Sequence, residues 1–228
     1  MPDSTYPTDG PAPGPQLAGL LVDWGGVLTG PIRSAVSAWA ETDGFDVEVW
    51  SSIMRDWLGG PVGQEALLNP IHALERGEIE VPEFDAGLAA ELTRRTGRHY
   101  EPEGLLDRMF AHFQHAPDMS ALVRRARASG LRTGLLSNSW GNSYPRDGWE
   151  EMFDIVVISG EVGMRKPEPR IFTHAAELLG LRPDECVLVD DISHNIAAAV
   201  ALGMVGVHHV SYDQTLLELE ALFARDLS

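Results

Sequence analysis

Cysteine and lysine are nearly missing from this chain. Cys186 is the one cysteine among 228 residues. No disulfide can form within the chain, which fits a reducing compartment. At the start of the apolar run 186–191 it reads as a small buried hydrophobe. Lys166 is the one lysine, and every other basic side chain is arginine. Positive charge is scarce altogether: 17 Lys and Arg stand against 34 Asp and Glu, a formal net charge of −17. That excludes the extended basic surface that nucleic acid or an anionic membrane requires. A small anionic ligand is not excluded where a metal or a local cation offsets the field. Long apolar runs are missing too, and none approaches the length of a membrane-crossing helix. Residues 1–16 carry five prolines and neither Lys nor Arg. They lack the basic start and apolar stretch of a secretory signal, so a disordered tail and a cytoplasmic chain are expected.

What is present suits a folded globular protein: 44% hydrophobic and 22% charged residues. The length allows one core, or a core plus a smaller inserted domain. Four β-rich apolar runs stand out, LAGLLVD (17–23), LRTGLLS (131–137), FDIVVIS (153–159) and CVLVDD (186–191), with a weaker fifth at 205–210. Their apolarity is continuous rather than alternating, which predicts strands covered on both faces, as in a parallel sheet. Helices are predicted between them, one starting at Asp118 and ending on Gly130, another following Pro167 and ending on Gly180. The alternation predicts an α/β fold with a doubly wound, mainly parallel sheet.

Residues 31–115 break that rhythm. Ile32/Val36/Trp39, Trp50/Met54/Trp57, Phe84/Leu88/Leu92 and Leu106/Met109/Phe110/Phe113 all have helical spacing. An all-helical cap domain is therefore expected at 31–115, inserted into a core domain made of 17–30 and 116–228. The tryptophans and methionines of the insertion are expected in its core.

In a doubly wound sheet, ligands bind beyond the C-terminal ends of the strands. Asp23, Ser137 and Asp190 end three separate runs. Each could be a turn or cap residue, but their convergence points to a ligand site. Lys166, in GMRKPEPRIF just ahead of a helix, offers a compact point charge suited to a phosphate or a carboxylate; a surface lysine is the plainer alternative. Asp190 and Asp191 are neighbours, so one is expected to face the site while the other braces it from behind. With Asp23 they supply the hard oxygen ligands that Mg²⁺ takes; solvated loop acids or helix caps are the alternative. Ser137-Asn138-Ser139 offers a hydroxyl and backbone N–H groups to a phosphate oxygen. His112 and His115 are three apart on an expected helix but lack partners for a metal, and all eight histidines are read as structural.

Together these segments resemble the haloacid dehalogenase-like (HAD) hydrolase superfamily, in the members with a helical cap. LLVDWGGVLTG is similar to its first motif, with Asp23 in the nucleophile position. LLSNS resembles the second, GMRKPEPRIF the third and CVLVDDISHNIAAAVALGM the fourth, including Asp190, Asp191 and Asn195; ALERGEIEVPEF resembles a segment of helical caps. The resemblance spans roughly residues 17–210. It implies a Mg²⁺-dependent phosphatase of a small phosphorylated metabolite, in which Asp23 forms an aspartyl-phosphate that water hydrolyses. Ser137, Asn138 and Lys166 would hold the phosphate. Asp23, the backbone carbonyl of Gly25 and Asp190 would hold the metal, backed by Asp191 and Asn195. The departure is Gly25, where such phosphatases usually carry a second aspartate as acid and base. Two alternatives follow: a binding or regulatory protein with little turnover, and a metal-independent 2-haloacid dehalogenase, which the Asp190-Asp191 pair opposes.

Overall fold

The computed structural model describes residues 16–58, 69–141 and 143–228. The expected tail lies outside them but for Gln16, and so does 59–68 of the helical insertion. Each apolar run forms a strand shorter than itself by one to three residues: β1 (Gly19–Val22), β2 (Arg132–Ser137), β3 (Ile155–Ile158), β4 (Cys186–Asp190) and β5 (Val205–His208). They pair in parallel in the order β3-β2-β1-β4-β5. β1 is central and its two neighbours come later in the chain on opposite sides, so the winding reverses there. Such a reversal opens a crevice at the strands' C-terminal ends.

Both faces of the sheet are covered, as the continuous runs require. On one face Leu20 and Val22 pack with α6 (Pro117–Ala128) and α11 (Tyr212–Phe223). On the other Leu21, Leu136 and Leu188 pack with α9 (Pro169–Leu178) and α10 (Ser193–Ala201). Cys186 is a buried free thiol in that second cluster, and burial pushes its pKa up to about 12. α6 opens on Pro117 with no side-chain cap, so Asp118 sits in its first turn rather than starting it.

Among the described residues, the regular elements between β1 and α6 are helices: α1 (Ile32–Asp43), α2 (Val47–Leu58), α3 (Pro70–Glu75), α4 (Val81–Thr96) and α5 (Leu105–Phe110). They enclose a separate apolar cluster around Trp39, Ile53, Phe84 and Leu88. The chain enters and leaves this block side by side. Gly30 N donates to Gln114 O at 2.8 Å, Ala116 N to Leu28 O at 2.9 Å, and Thr29 bridges His115. α5 stops at Phe110, so Phe113, His112 and His115 are not on the helix their spacing suggested; the chain must turn there to reach Thr29. Across the gap, Glu75 pairs with Arg165, Arg76 Nη1 lies 3.3 Å from Glu168 Oε1, and Trp140 inserts beside Trp50 and Phe84. No helix among the described residues is long and apolar enough to cross a membrane.

Candidate active site

Parallel pairing sets the site. Val22 pairs with Val189, and Asp23 N donates to Val189 O at 2.9 Å, so Asp23 leaves the sheet beside Asp190. Lys166 reaches them from the loop before α9. Its Nζ is 2.6 Å from Asp190 Oδ2 and 2.9 Å from Asp23 Oδ1, with the side chain 0% exposed. The sole lysine is thus a buried bridge between two carboxylates, not a surface residue. Asn138 fixes its backbone in both directions, accepting from Lys166 N at 2.8 Å and donating to Lys166 O at 3.0 Å. Asn195 Nδ2 donates to both Asp190 oxygens at 3.0 and 3.2 Å. Ser137 Oγ lies 2.9 Å from the Tyr144 hydroxyl.

Burial raises the Asp23 pKa; the Lys166 ammonium opposes this, Asp190 and Asp191 add to it, and the net is about 7. Burial would lower the Lys166 pKa, but Asp190 and Asp23 outweigh it and hold the ammonium above its ordinary range. Burial first, then Asp190, raises Asp191.

Ile192 N donates to Asp190 Oδ1 at 2.8 Å, turning the chain directly after the strand. Ligand oxygens of Asp23, Asp190 and Asp191 all lie within 4.8 Å of one another. Asp191 Oδ1 is buried without a hydrogen-bond partner among the described residues. A side chain on Gly26, whose φ is +75°, would collide with the Asp191 carboxylate. Three carboxylates against one ammonium leave a formal charge of −2, so a divalent, oxygen-seeking cation fits this donor set.

Beside Asp23 opens a cavity of about 130 Å³. The helical block contributes Ile32, Glu75, Met109, Phe110 and Phe113 to its lining. Met109, 1% exposed and buried in the insertion's apolar cluster as expected, also borders the cavity. Trp24 stacks on Phe113 at 5.5 Å between ring centres and meets Tyr144 edge-on at 5.0 Å. Burial pushes the Tyr144 pKa up to about 12. Sequence reasoning missed Tyr144, Trp140 and Glu75. The signal available was two aromatics in the segment directly after the Ser137 strand end, where sites of this fold collect their side chains.

Residues 17–203 match the haloacid dehalogenase-like hydrolase family. Glyceraldehyde 3-phosphate phosphatase of Methanopyrus kandleri is 35% identical over 189 residues, 77% of this chain and 72% of that protein. Acyl-CoA dehydrogenase family member 10 of Mus musculus is 37% identical over 114 residues, 46% of this chain and 10% of that protein. The chain spans only a small part of that longer relative. A HAD family enzyme of Bacteroides thetaiotaomicron, in complex with magnesium and inorganic phosphate, shares the fold at a TM-score of 0.59 and 21% identity. That likeness covers 84% of this chain and 93% of the other.

Proposed function

This chain belongs to the haloacid dehalogenase-like hydrolases, and we propose that it is a magnesium-dependent phosphatase of a small phosphorylated metabolite. The observation that carries this reading is Lys166 Nζ between Asp23 Oδ1 and Asp190 Oδ2, with Asp191 completing a carboxylate cluster. The phosphatase of Methanopyrus kandleri and the magnesium and phosphate held by the Bacteroides enzyme support it.

Asp23 is the nucleophile. Its Oδ1 accepts from Trp24 N at 2.7 Å and lies 2.9 Å from Lys166 Nζ, which fixes the carboxylate and leaves Oδ2 to attack phosphorus. The phosphorus–oxygen ester bond breaks as the Asp23–phosphorus bond forms, and water then cleaves the aspartyl-phosphate to phosphate and free carboxylate. Lys166 and Ser137 meet the charge on the transferring oxygens. Asp23, Asp190 and the Gly25 carbonyl would hold Mg²⁺, with Asp191 beside them; when bound, the ion offsets the cluster's negative charge and polarises the phosphoryl oxygens. Asn138 and Asn195 act behind these groups, the first by holding the Lys166 backbone, the second by orienting Asp190. Residues 31–115 act as a cap that closes the site, a reading supported by the five side chains they lend to the cavity.

A second reading, a binding or regulatory protein with little turnover, rests on Gly25, which offers no acid to the leaving group. Phosphate release from a panel of phosphorylated metabolites, in Mg²⁺ and in EDTA, decides between them. Asp23→Asn keeps the shape and removes the nucleophile, so release should stop. Equal release in EDTA, or from that variant, refutes the mechanism; release from no substrate favours the binding protein.

A further inference from the structure

The cavity beside Asp23 is polar at its floor and apolar above. At the floor, the groups that could meet a ligand are already tied to one another around Lys166 and Asp190. The remaining wall is mostly apolar, with Trp24, Ile32, Met109, Phe110, Phe113 and Trp140; Tyr144 also lines it, its hydroxyl 2.9 Å from Ser137 Oγ. The aromatic rings support each other, with Phe110 and Phe113 5.3 Å apart and Trp24 stacked on Phe113. Glu75 is the one charged side chain on that upper wall among the described residues, and both its oxygens are taken. Trp140 Nε1 donates to Oε1 at 3.1 Å, and Arg165 Nε pairs with Oε2. Lys166 is the only basic residue lining the cavity among the described residues.

Such a wall rejects two kinds of phosphate ester. The hydroxyls of a sugar would leave water to face rings and methyl groups, losing hydrogen bonds without replacement. A second phosphate or a carboxylate would meet Glu75 and no free cation. What the wall accepts is an apolar ring. At about 130 Å³, floor included, the cavity is smaller than the ~150 Å³ known to hold one benzene in an apolar protein interior, so beside a phosphoryl group it takes no more than a single ring.

We infer that the substrate is a phosphate monoester whose leaving group is a single apolar ring with no second charge, an aryl or arylmethyl monophosphate. This rests on the phosphatase reading above and narrows it. It parts from the substrate named for the Methanopyrus kandleri relative, since glyceraldehyde 3-phosphate carries no ring.

Non-hydrolysable phosphonates separate ring recognition from leaving-group chemistry. Calorimetric titration of the whole chain with Mg²⁺ compares benzylphosphonate, 2,3-dihydroxypropylphosphonate and 4-carboxybenzylphosphonate. Benzylphosphonate should bind at least roughly thirtyfold more tightly than the dihydroxypropyl compound, the scale expected for removing on the order of 100 Å² of apolar surface from water. The carboxylated ring should lose at least about tenfold, the scale of an unpaired charge brought beside a carboxylate. Phe113→Ser should bring the first ratio down severalfold, and the wild-type ratio decides the matter even if that variant does not fold. Equal affinities, a preference for the diol, or no binding of benzylphosphonate overturns the inference. Acetyl phosphate, which needs neither a ring nor an acid, tests the parent reading separately. Its hydrolysis alongside equal affinities leaves the phosphatase standing, while its failure together with no phosphonate binding overturns both.

Discussion

Replacing Lys166 by Met keeps the length of the side chain and removes the ammonium, itself fully buried, that sits among three carboxylates. The Lys166 ammonium lies 2.6 Å from Asp190 and 2.9 Å from Asp23. Without it, Asp23, Asp190 and Asp191 face one another with nothing to offset them. Removing one partner of a buried ion pair costs about 3–5 kcal/mol. The low end applies here because Asp23, already raised to about 7, can take up a proton and relieve the repulsion. That relief fixes the sign of the pH dependence. A carboxyl whose pKa is higher folded than unfolded binds more protons in the folded state, so its contribution to stability falls as pH rises. The gap between wild type and variant should therefore widen from pH 5.5 to pH 8, approaching about 3 kcal/mol in the metal-free protein. Urea unfolding at the two pH values measures it, and added Mg²⁺ should recover part of the loss by restoring positive charge. In activity, kcat/KM should fall at least about a hundredfold, as when one preorganised electrostatic donor is removed. Lys166→Arg should not restore it, because the planar fork does not fit a point-charge position. A stability gap independent of pH, or near-wild-type kinetics, would refute the reasoning.

Gly25→Asp should fold, because the nearest atom to an added Cβ is the flexible end of Ile32, at 3.3 Å, and the backbone there is not left-handed. If the introduced carboxyl supplies the missing acid, alkyl phosphates should speed up by up to ~10² and the dependence of rate on leaving-group pKa should flatten; an unchanged series would mean that the proton comes from elsewhere, with Tyr144 the hydroxyl lining the cavity. Gly77→Ala should lower Tm, since Gly77 has φ +68° and an added Cβ would lie 2.6 Å from Gly160 O where the helical block meets the core; an unchanged Tm would mean that this contact yields freely. Cys186, buried with a pKa near 12, should stay unreactive to a thiol reagent at pH 8 and react once urea unfolds the chain; rapid reaction of the native protein would contradict the packing. Burial and the nearby Arg165 and Arg76 charges lower the His72 pKa to about 4. Its contribution to stability should be complete above about pH 6.5 and lost as pH falls toward 4, and a His72→Gln variant should show a shallower decline over that window.

The sheet was legible because buried parallel strands write themselves as unbroken apolar runs. The same logic placed Asp23, Ser137 and Asp190 at one edge of the fold. Local periodicity carries a helix as far as its last hydrogen bond and no further. Leu106, Met109, Phe110 and Phe113 share a helical spacing, yet the chain leaves the helix after Phe110 so that Gln114 can meet Gly30. Nor does the sequence show that the Asp190 side chain accepts from Ile192 N and turns the backbone at once. Tyr144, Trp140 and Glu75 were illegible because their roles depend on where separate segments come together. No window of sequence shows that Trp140 Nε1 reaches the carboxylate of Glu75, 65 residues away. Lys166 was legible by rarity, but rarity could not show that both its neighbours are acids.

Gly25 and the apolar wall are best understood as one feature. The space a side chain at position 25 would take is bounded by Ile32, and Gly25 and Ile32 both line the cavity with Trp24. A carboxyl added there would sit between hydrocarbon and the Asp23 cluster, two influences that both raise its pKa and keep it protonated. That is the state a general acid needs, so the position suits an acid and the glycine declines to supply one. A site without an acid works best on leaving oxygens that depart as stable anions, and a phenolate is far more stable than an alkoxide. The wall of Trp24, Phe110 and Phe113 favours the same class by a different force, the removal of apolar surface from water. On the proposed reading, electronics at position 25 and packing above it select together for aryl phosphates. The two can be separated in the Gly25→Asp protein, where the electronic preference should weaken while the tighter binding of an apolar ring persists.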